Sequence, residues 1–184
     1  MENNVLIFGH KNPDTDSITS ALVMENLERC IGNSNAKAVR TGNVNKETQF
    51  VLNYLGIEAP ELIDDVNDGQ EVILVDHNEA TQSPDNIANA KILKVVDHHT
   101  MKFIAPYQLY YRAEPVGCTQ TVLYKMYREN GVDIDKKIAT LMLSAIASDT
   151  LVLKSPTTTE TDIKVIKELE SISGLNLDKY GVDM

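Results

Sequence analysis

Apolar residues along the chain follow two rhythms. Short, largely apolar runs at 5–9, 36–40, 72–75, 92–96 and 109–112 alternate with longer stretches where apolar positions recur every three or four residues. The short runs are bounded by polar or glycine-containing segments and read as buried strands. The longer stretches, 17–31, 47–55, 119–130, 135–148 and 159–171, read as helices, and 84–90 as a short one. In 17–31 the apolar face is Ile18, Ala21, Leu22, Leu27 and Ile31, and Asp16 or Ser17 can cap the start. Alternating strands and helices, with strands apolar along their length, predict an α/β fold: a mostly parallel β-sheet flanked by helices on both faces. The chain has 184 residues with no internal repeat or linker, so a single domain over 1–184 is expected. Residues 175–184 read as the opening of one more helix, as if a longer protein continued there.

Composition narrows the function classes. No run of about 18 apolar residues occurs, so no membrane-spanning helix is predicted. Met1-Glu2-Asn3-Asn4 leads straight into the first strand without a basic segment, which argues against secretion. The two cysteines, Cys30 and Cys118, lack zinc-site spacing and read as reduced thiols of a cytoplasmic protein. A net charge of −10 without a basic stripe, no Trp and 5% aromatics argue against a nucleic-acid partner.

Candidate chemistry lies in the histidines. Three of the four lie within two residues of an aspartate and His10 lies four before Asp14, in the stretches 9–17, 75–79 and 96–99. Imidazole with carboxylate is the ligand set of divalent first-row metals, and this mixture suits manganese, cobalt or zinc better than magnesium. The three stretches follow predicted strands, at the edge where open α/β sheets bind ligands. Asp14 and Asp16 flank Thr15 before a helix and can reach two separate ions, which Asp76 could bridge. His98 and His99 are adjacent at a strand end and point different ways, so one should ligate while the other faces substrate. Asp97 suits a supporting position behind an imidazole. His77 reads as a neighbour of Asp76 rather than a ligand, Cys118 as a small buried residue and Cys30 as a helix-face residue. Arg112 and Lys154 are the basic residues nearest the motifs and the candidates for phosphate contact. Asp149, at the end of the apolar helix, counts for little alone. Together these residues point to a two-metal phosphoryl hydrolase.

The Asp97-His98-His99 triplet resembles the signature of the DHH phosphoesterases. With Gly9-His10-Lys11-Asn12-Pro13-Asp14-Thr15-Asp16-Ser17, Val75-Asp76-His77-Asn78-Glu79, the stretch 111–119 and Ser148-Asp149-Thr150, the chain is similar to the family II inorganic pyrophosphatases. That resemblance implies hydrolysis of pyrophosphate, taken as a metal complex, to two phosphates by two Mn2+ ions, with Co2+ or Mg2+ as substitutes and a bridging hydroxide as nucleophile. It assigns His10 and Asp14 to one ion, Asp16, His98 and Asp149 to the other, Asp76 to both, and His99 to substrate. It implies a homodimer through this domain. It also implies a second, substrate-binding domain (of the DHHA2 type) that this chain lacks, and therefore weak activity of the chain by itself. No inserted nucleotide-binding (CBS) module is seen. The alternatives are a DHH-type exopolyphosphatase or nucleotide phosphodiesterase, and a non-catalytic metal-binding or dimerisation module.

Overall fold

The structure, a computed structural model, describes residues 4–184; the expectation about Met1–Asn3 falls outside them. Six strands form one parallel sheet: β1 (Val5–Phe8), β2 (Ala36–Arg40), β3 (Glu61–Leu62), β4 (Glu71–Val75), β5 (Lys91–Asp97) and β6 (Tyr110–Ala113), in the order β3-β2-β1-β4-β5-β6. Six helices accompany them: α1 (Thr15–Cys30), α2 (Lys46–Leu55), α3 (Thr119–Glu129), α4 (Lys136–Asp149), α5 (Glu160–Ser173) and α6 (Leu177–Asp183). The predicted α/β class and parallel sheet are therefore present.

The period-two geometry of a strand divides its apolar residues between two cores. Val5, Ile7, Ile73, Val75 and Val96 face the larger core, to which all six α-helices contribute. Phe8, Val72, Leu74 and Val95 face a smaller one, closed by Val66, Ile87 and partly buried Phe103. Helical cover is thus uneven. The connections β3→β4, β4→β5 and β5→β6 run toward the opposite sheet edge from β1→β2 and β2→β3. Right-handed crossovers then send the two sets over opposite faces. The first set holds only loops and two 3₁₀ turns, Ala80–Gln82 and Ile87–Asn89. The helix expected at 84–90 is only the second of these turns: the N–H groups of Ile87, Asn89 and Ala90 donate to the carbonyls of Pro84, Asn86 and Ile87, three residues back, and the chain then enters β5.

Two other details differ from the sequence reading. The cap of α1 is Asp14, not Asp16 or Ser17; its carboxylate accepts from the Ser17 N–H at 3.0 Å. Residues 61–62 form a two-residue exposed edge strand, too short to leave a pattern. Residues 177–183 form the helix that the last stretch foreshadowed.

Candidate metal centre

Strands β1, β4 and β5 are neighbours, so the loops at their carboxyl ends meet on one rim. Chain direction diverges between β1 and β4, which opens a crevice there. Gly9 starts the first loop because α1 crosses so close that a Cβ at Gly9 would lie 2.0 Å from Ser17 Oγ and 2.8 Å from its Cα. Asp76 follows β4 at φ 59°, a left-handed conformation that Asp tolerates better than most residues, with its N–H on the Val96 carbonyl at 2.9 Å. Helix α4 packs against α1 and ends at Asp149 on the same rim.

Asp76 is the hub, and it is 1% exposed. His10 Nε2 stands 3.4 Å from its Oδ2, His98 Nε2 3.4 Å from its Oδ1, and His99 Nδ1 3.7 Å from its Oδ1. Asp14 Oδ2 stands 3.4 Å from His10 Nε2. These separations are long for hydrogen bonds. The three 3.4 Å separations match two ligands of one ion, since atoms each about 2.1 Å from a metal lie roughly 3–3.4 Å apart; the His99 separation is wider. Among the described residues three sets place donor atoms within 4.8 Å of one another: His10-Asp14-Asp76, Asp16-His98-Asp149 and Asp76-His98-His99. Asp76 Oδ2 is buried with no hydrogen-bond partner. A buried carboxylate oxygen left open costs stability unless something fills the position, so the residues fit a divalent ion.

Surrounding contacts fix the imidazoles. His10 Nδ1 lies 2.8 Å from the Lys11 carbonyl and His98 Nδ1 3.0 Å from the Val116 carbonyl. With carbonyl acceptors there, each Nδ1 donates, which leaves each Nε2 facing the cluster, ready to offer a lone pair once its own proton is shed. His99 differs: its Nδ1 donates to Asp97 Oδ1 at 2.9 Å, and the side chain is 52% exposed. Asp97 Oδ1 also accepts the His98 and His99 backbone N–H groups, and Asp97 Oδ2 accepts from Asn78. The two histidines left as alternatives by the sequence thus occupy unlike positions, His98 inward and His99 toward the opening.

Charge in the cluster is crowded. Burial works against the charged form of His10, but the Asp14 and Asp76 carboxylates outweigh it and raise its pKa to about 11. His98 is raised to about 9 by Asp76 and Asp16 against the same burial penalty. Burial and the Asp76 charge push Asp16 up to about 7. Burial, then Asp16 and Asp76, push Asp149 up to about 11. Burial opposes ionisation of Asp76, yet His10 and His98 hold it well below the usual carboxylate range. The metal-free cluster therefore replaces cation charge with protons.

The remaining candidates divide. His77 is buried with both ring nitrogens committed, Nδ1 to the Val75 carbonyl at 2.9 Å and Nε2 to Ser83 Oγ at 2.8 Å. Arg112 is held by Glu114 and Glu129, and Lys154 is exposed. Neither borders the two cavities that open on Asp76. One, of about 310 Å³, is lined by His10, His99, Asn78, Gln82 and Lys102 among others; the second, of about 410 Å³, by Asp14, His98, Asp149, Gly117 and Thr157 among others. Thr119 also borders the cluster, and the sequence marks it only by its place in the stretch 111–119, because it offers no ionisable group.

The family model of the DHH family, N-terminal domain, matches residues 4–146. Proteins of Staphylococcus aureus strains JH9 and N315, each named a probable manganese-dependent inorganic pyrophosphatase, are 57% identical over 179 residues, 97% of this chain and 58% of theirs. A crystal structure from Methanococcus jannaschii, assigned to the family II inorganic pyrophosphatases, superposes with a TM-score of 0.89 at 39% identity, over 96% of this chain and 59% of that one. An exopolyphosphatase-related protein of Bacteroides fragilis shares the fold, with a TM-score of 0.75 at 17% identity over 96% of this chain and 54% of that one. The chain thus spans somewhat under three fifths of the length of the relatives it matches.

Proposed function

We propose, since this chain belongs to the DHH family, that it is the metal-holding part of a manganese-dependent inorganic pyrophosphatase. The observation that carries this reading is the open Asp76 Oδ2, buried among donors from three loops and one helix end. The kinship to proteins bearing that name supplies the substrate. His10, Asp14 and Asp76 would hold one Mn2+, and Asp16, His98, Asp149 and Asp76 the other. Two such ions, when bound, lower the pKa of water and offset phosphoryl charge.

The chain's own residues do the rest. His10 and His98 present Nε2 because carbonyls fix their Nδ1 protons. His99, braced by Asp97, is half exposed beside the cluster, where its Nε2 can reach a phosphate oxygen of the substrate. Asp97 keeps that ring oriented and its Nδ1 protonated. Arg112 does not serve as a phosphate contact in this reading, because two glutamates already satisfy it. The acidic rim needs cations before an anionic substrate can approach.

Asp14 and His99 are about half exposed, so the cluster faces open solvent. Substrate ordering and water exclusion are then weak, and the chain alone should turn over slowly, with the remainder of the whole protein covering the cleft. The reading includes a homodimer through this domain; an open edge at β6, with exposed Tyr110 and nearby Tyr107, Ile104 and Met101, supports it. It also includes a cytoplasmic setting, supported by the two free thiols. Among the described residues no helix is long and apolar enough to cross a membrane. The deciding experiment is phosphate release from pyrophosphate, tripolyphosphate, a cyclic dinucleotide and short RNA, with Mn2+ and with chelator, for both the chain and its full-length parent. Preference for another substrate by the parent, or activity in chelator, would sink the reading.

A further inference from the structure

One residue outside the ligand set touches carboxylates from both halves of the cluster. Thr119 donates its backbone N–H to Asp16 Oδ2 at 2.7 Å and its hydroxyl to Asp76 Oδ1 at 3.0 Å. All three residues are essentially excluded from solvent. Thr119 is the first residue of α3, whose cap position, Cys118, makes no side-chain cap bond. Asp16 supplies the missing acceptor from another helix, and its Oδ1 is held by Ser20 Oγ at 2.8 Å. Both Asp16 oxygens therefore have fixed directions. With Oδ1 of Asp76 tied to the same threonine, that carboxylate is turned so that Oδ2 is the open atom.

The loop that carries Thr119 is itself pinned from behind. Asp162 Oδ2 accepts the Gly117 N–H at 2.9 Å, and Asp162 Oδ1 accepts the Thr121 hydroxyl at 2.5 Å. A Cβ at Gly117 would come within 2.9 Å of Asp162 Oδ2 and of Thr150 Cγ2, so the loop lies flush against its support. A donor anchored so rigidly can define an angle between two carboxylates that long, free side chains could not.

We propose that Thr119 is a positioning residue that sets the mutual orientation of Asp16 and Asp76, so that the two ligand groups bind a pair of Mn2+ ions together and not independently. This rests on the two-metal reading above. The test is Mn2+ binding by the full chain, followed by calorimetry and by the electron paramagnetic resonance signature of a coupled ion pair. Thr119→Val keeps the shape and the backbone N–H but removes the hydroxyl; Thr119→Ala removes it without added bulk; Thr119→Ser keeps it. Loss of a supporting hydrogen bond to a metal ligand typically lowers affinity roughly 10–100-fold. Affinity should fall by that factor and the coupled-pair signal should vanish in the Val and Ala variants, with Ser restoring both. Equal binding and an unchanged signal in a folded Val or Ala variant would overturn this inference and leave the two-metal reading intact. Equal losses in Ser and Ala would also overturn it. A parent chain that takes up no Mn2+ would overturn both.

Discussion

Asp149 and Asp16 show how the cluster balances charge when no cation is bound. At neutral pH Asp149, raised to about 11, carries a proton, as do His10 at about 11 and His98 at about 9. Ligands must shed those protons to bind a metal. The sign follows: proton and cation compete, so Mn2+ affinity rises with pH between 6 and 8, and binding releases protons. Calorimetry in buffers of different ionisation enthalpy measures the number released; zero would contradict this picture. Asp149→Asn should leave the metal-free melting temperature nearly unchanged, because an amide replaces an already neutral acid. It should weaken Mn2+ binding by about 100-fold, in line with loss of a charged ligand that is worth more than a supporting contact. At this scale the sequence showed His10, Asp14, Asp16 and Asp76 as chemistry, because residue type and spacing carry that signal. Residue type and spacing alone could not rank His98 against His99, which only the family resemblance separated, since their roles depend on which ring nitrogen meets the Val116 carbonyl and which meets Asp97. Thr119 stayed hidden because half of its contribution is a backbone N–H.

Elements act here through their ends. Helix α5 starts with a capping box in which Thr159 and Asp162 exchange bonds, and the same Asp162 grips Gly117 and Thr121. Asp162→Ala should cost about 2–4 kcal/mol in urea unfolding, the sum of a lost cap and buried donors left open. A loss under about 0.5 kcal/mol, the ordinary surface value, would show the brace to be dispensable. Strand and helix positions were legible because apolar rhythm and burial coincide: Ile7 and Phe8 point to opposite cores as alternation requires. What escaped was set by tertiary contacts. The strand at Glu61–Leu62 exists only because β2 offers an edge. Leu151, Val152 and Leu153 all adopt left-handed φ of 50–62°, which no local propensity favours. They are held by Thr150, whose hydroxyl accepts the Leu153 N–H at 3.0 Å, and by Gly181, where a Cβ would sit 2.8 Å from Val152.

On the scale of the molecule, the cluster is where the fold is least content without a ligand. Ion binding to the folded chain alone stabilises it by about 2.7 kcal/mol at a hundredfold excess over Kd. For a domain of this size that is roughly a 5–10 °C rise in melting temperature. Scanning calorimetry with Mn2+ and then with excess chelator should show the rise and its reversal; a melting temperature blind to both would mean the donors do not act as one site.

The donors run from His10 to Asp149, and the brace behind Thr119 comes from Asp162. On a ribosome, which releases the chain from its amino end at about 5–20 residues per second, His10 emerges many seconds before Asp149. Until then the first loop offers only His10 and the neighbouring aspartates, two or three donors on an unfolded segment. The preorganised arrangement is among the last things the nascent chain acquires. On the two-metal reading, choice of cation is deferred to the finished domain, whose fixed geometry, and not the order in which ions meet the emerging polypeptide, would decide which one stays.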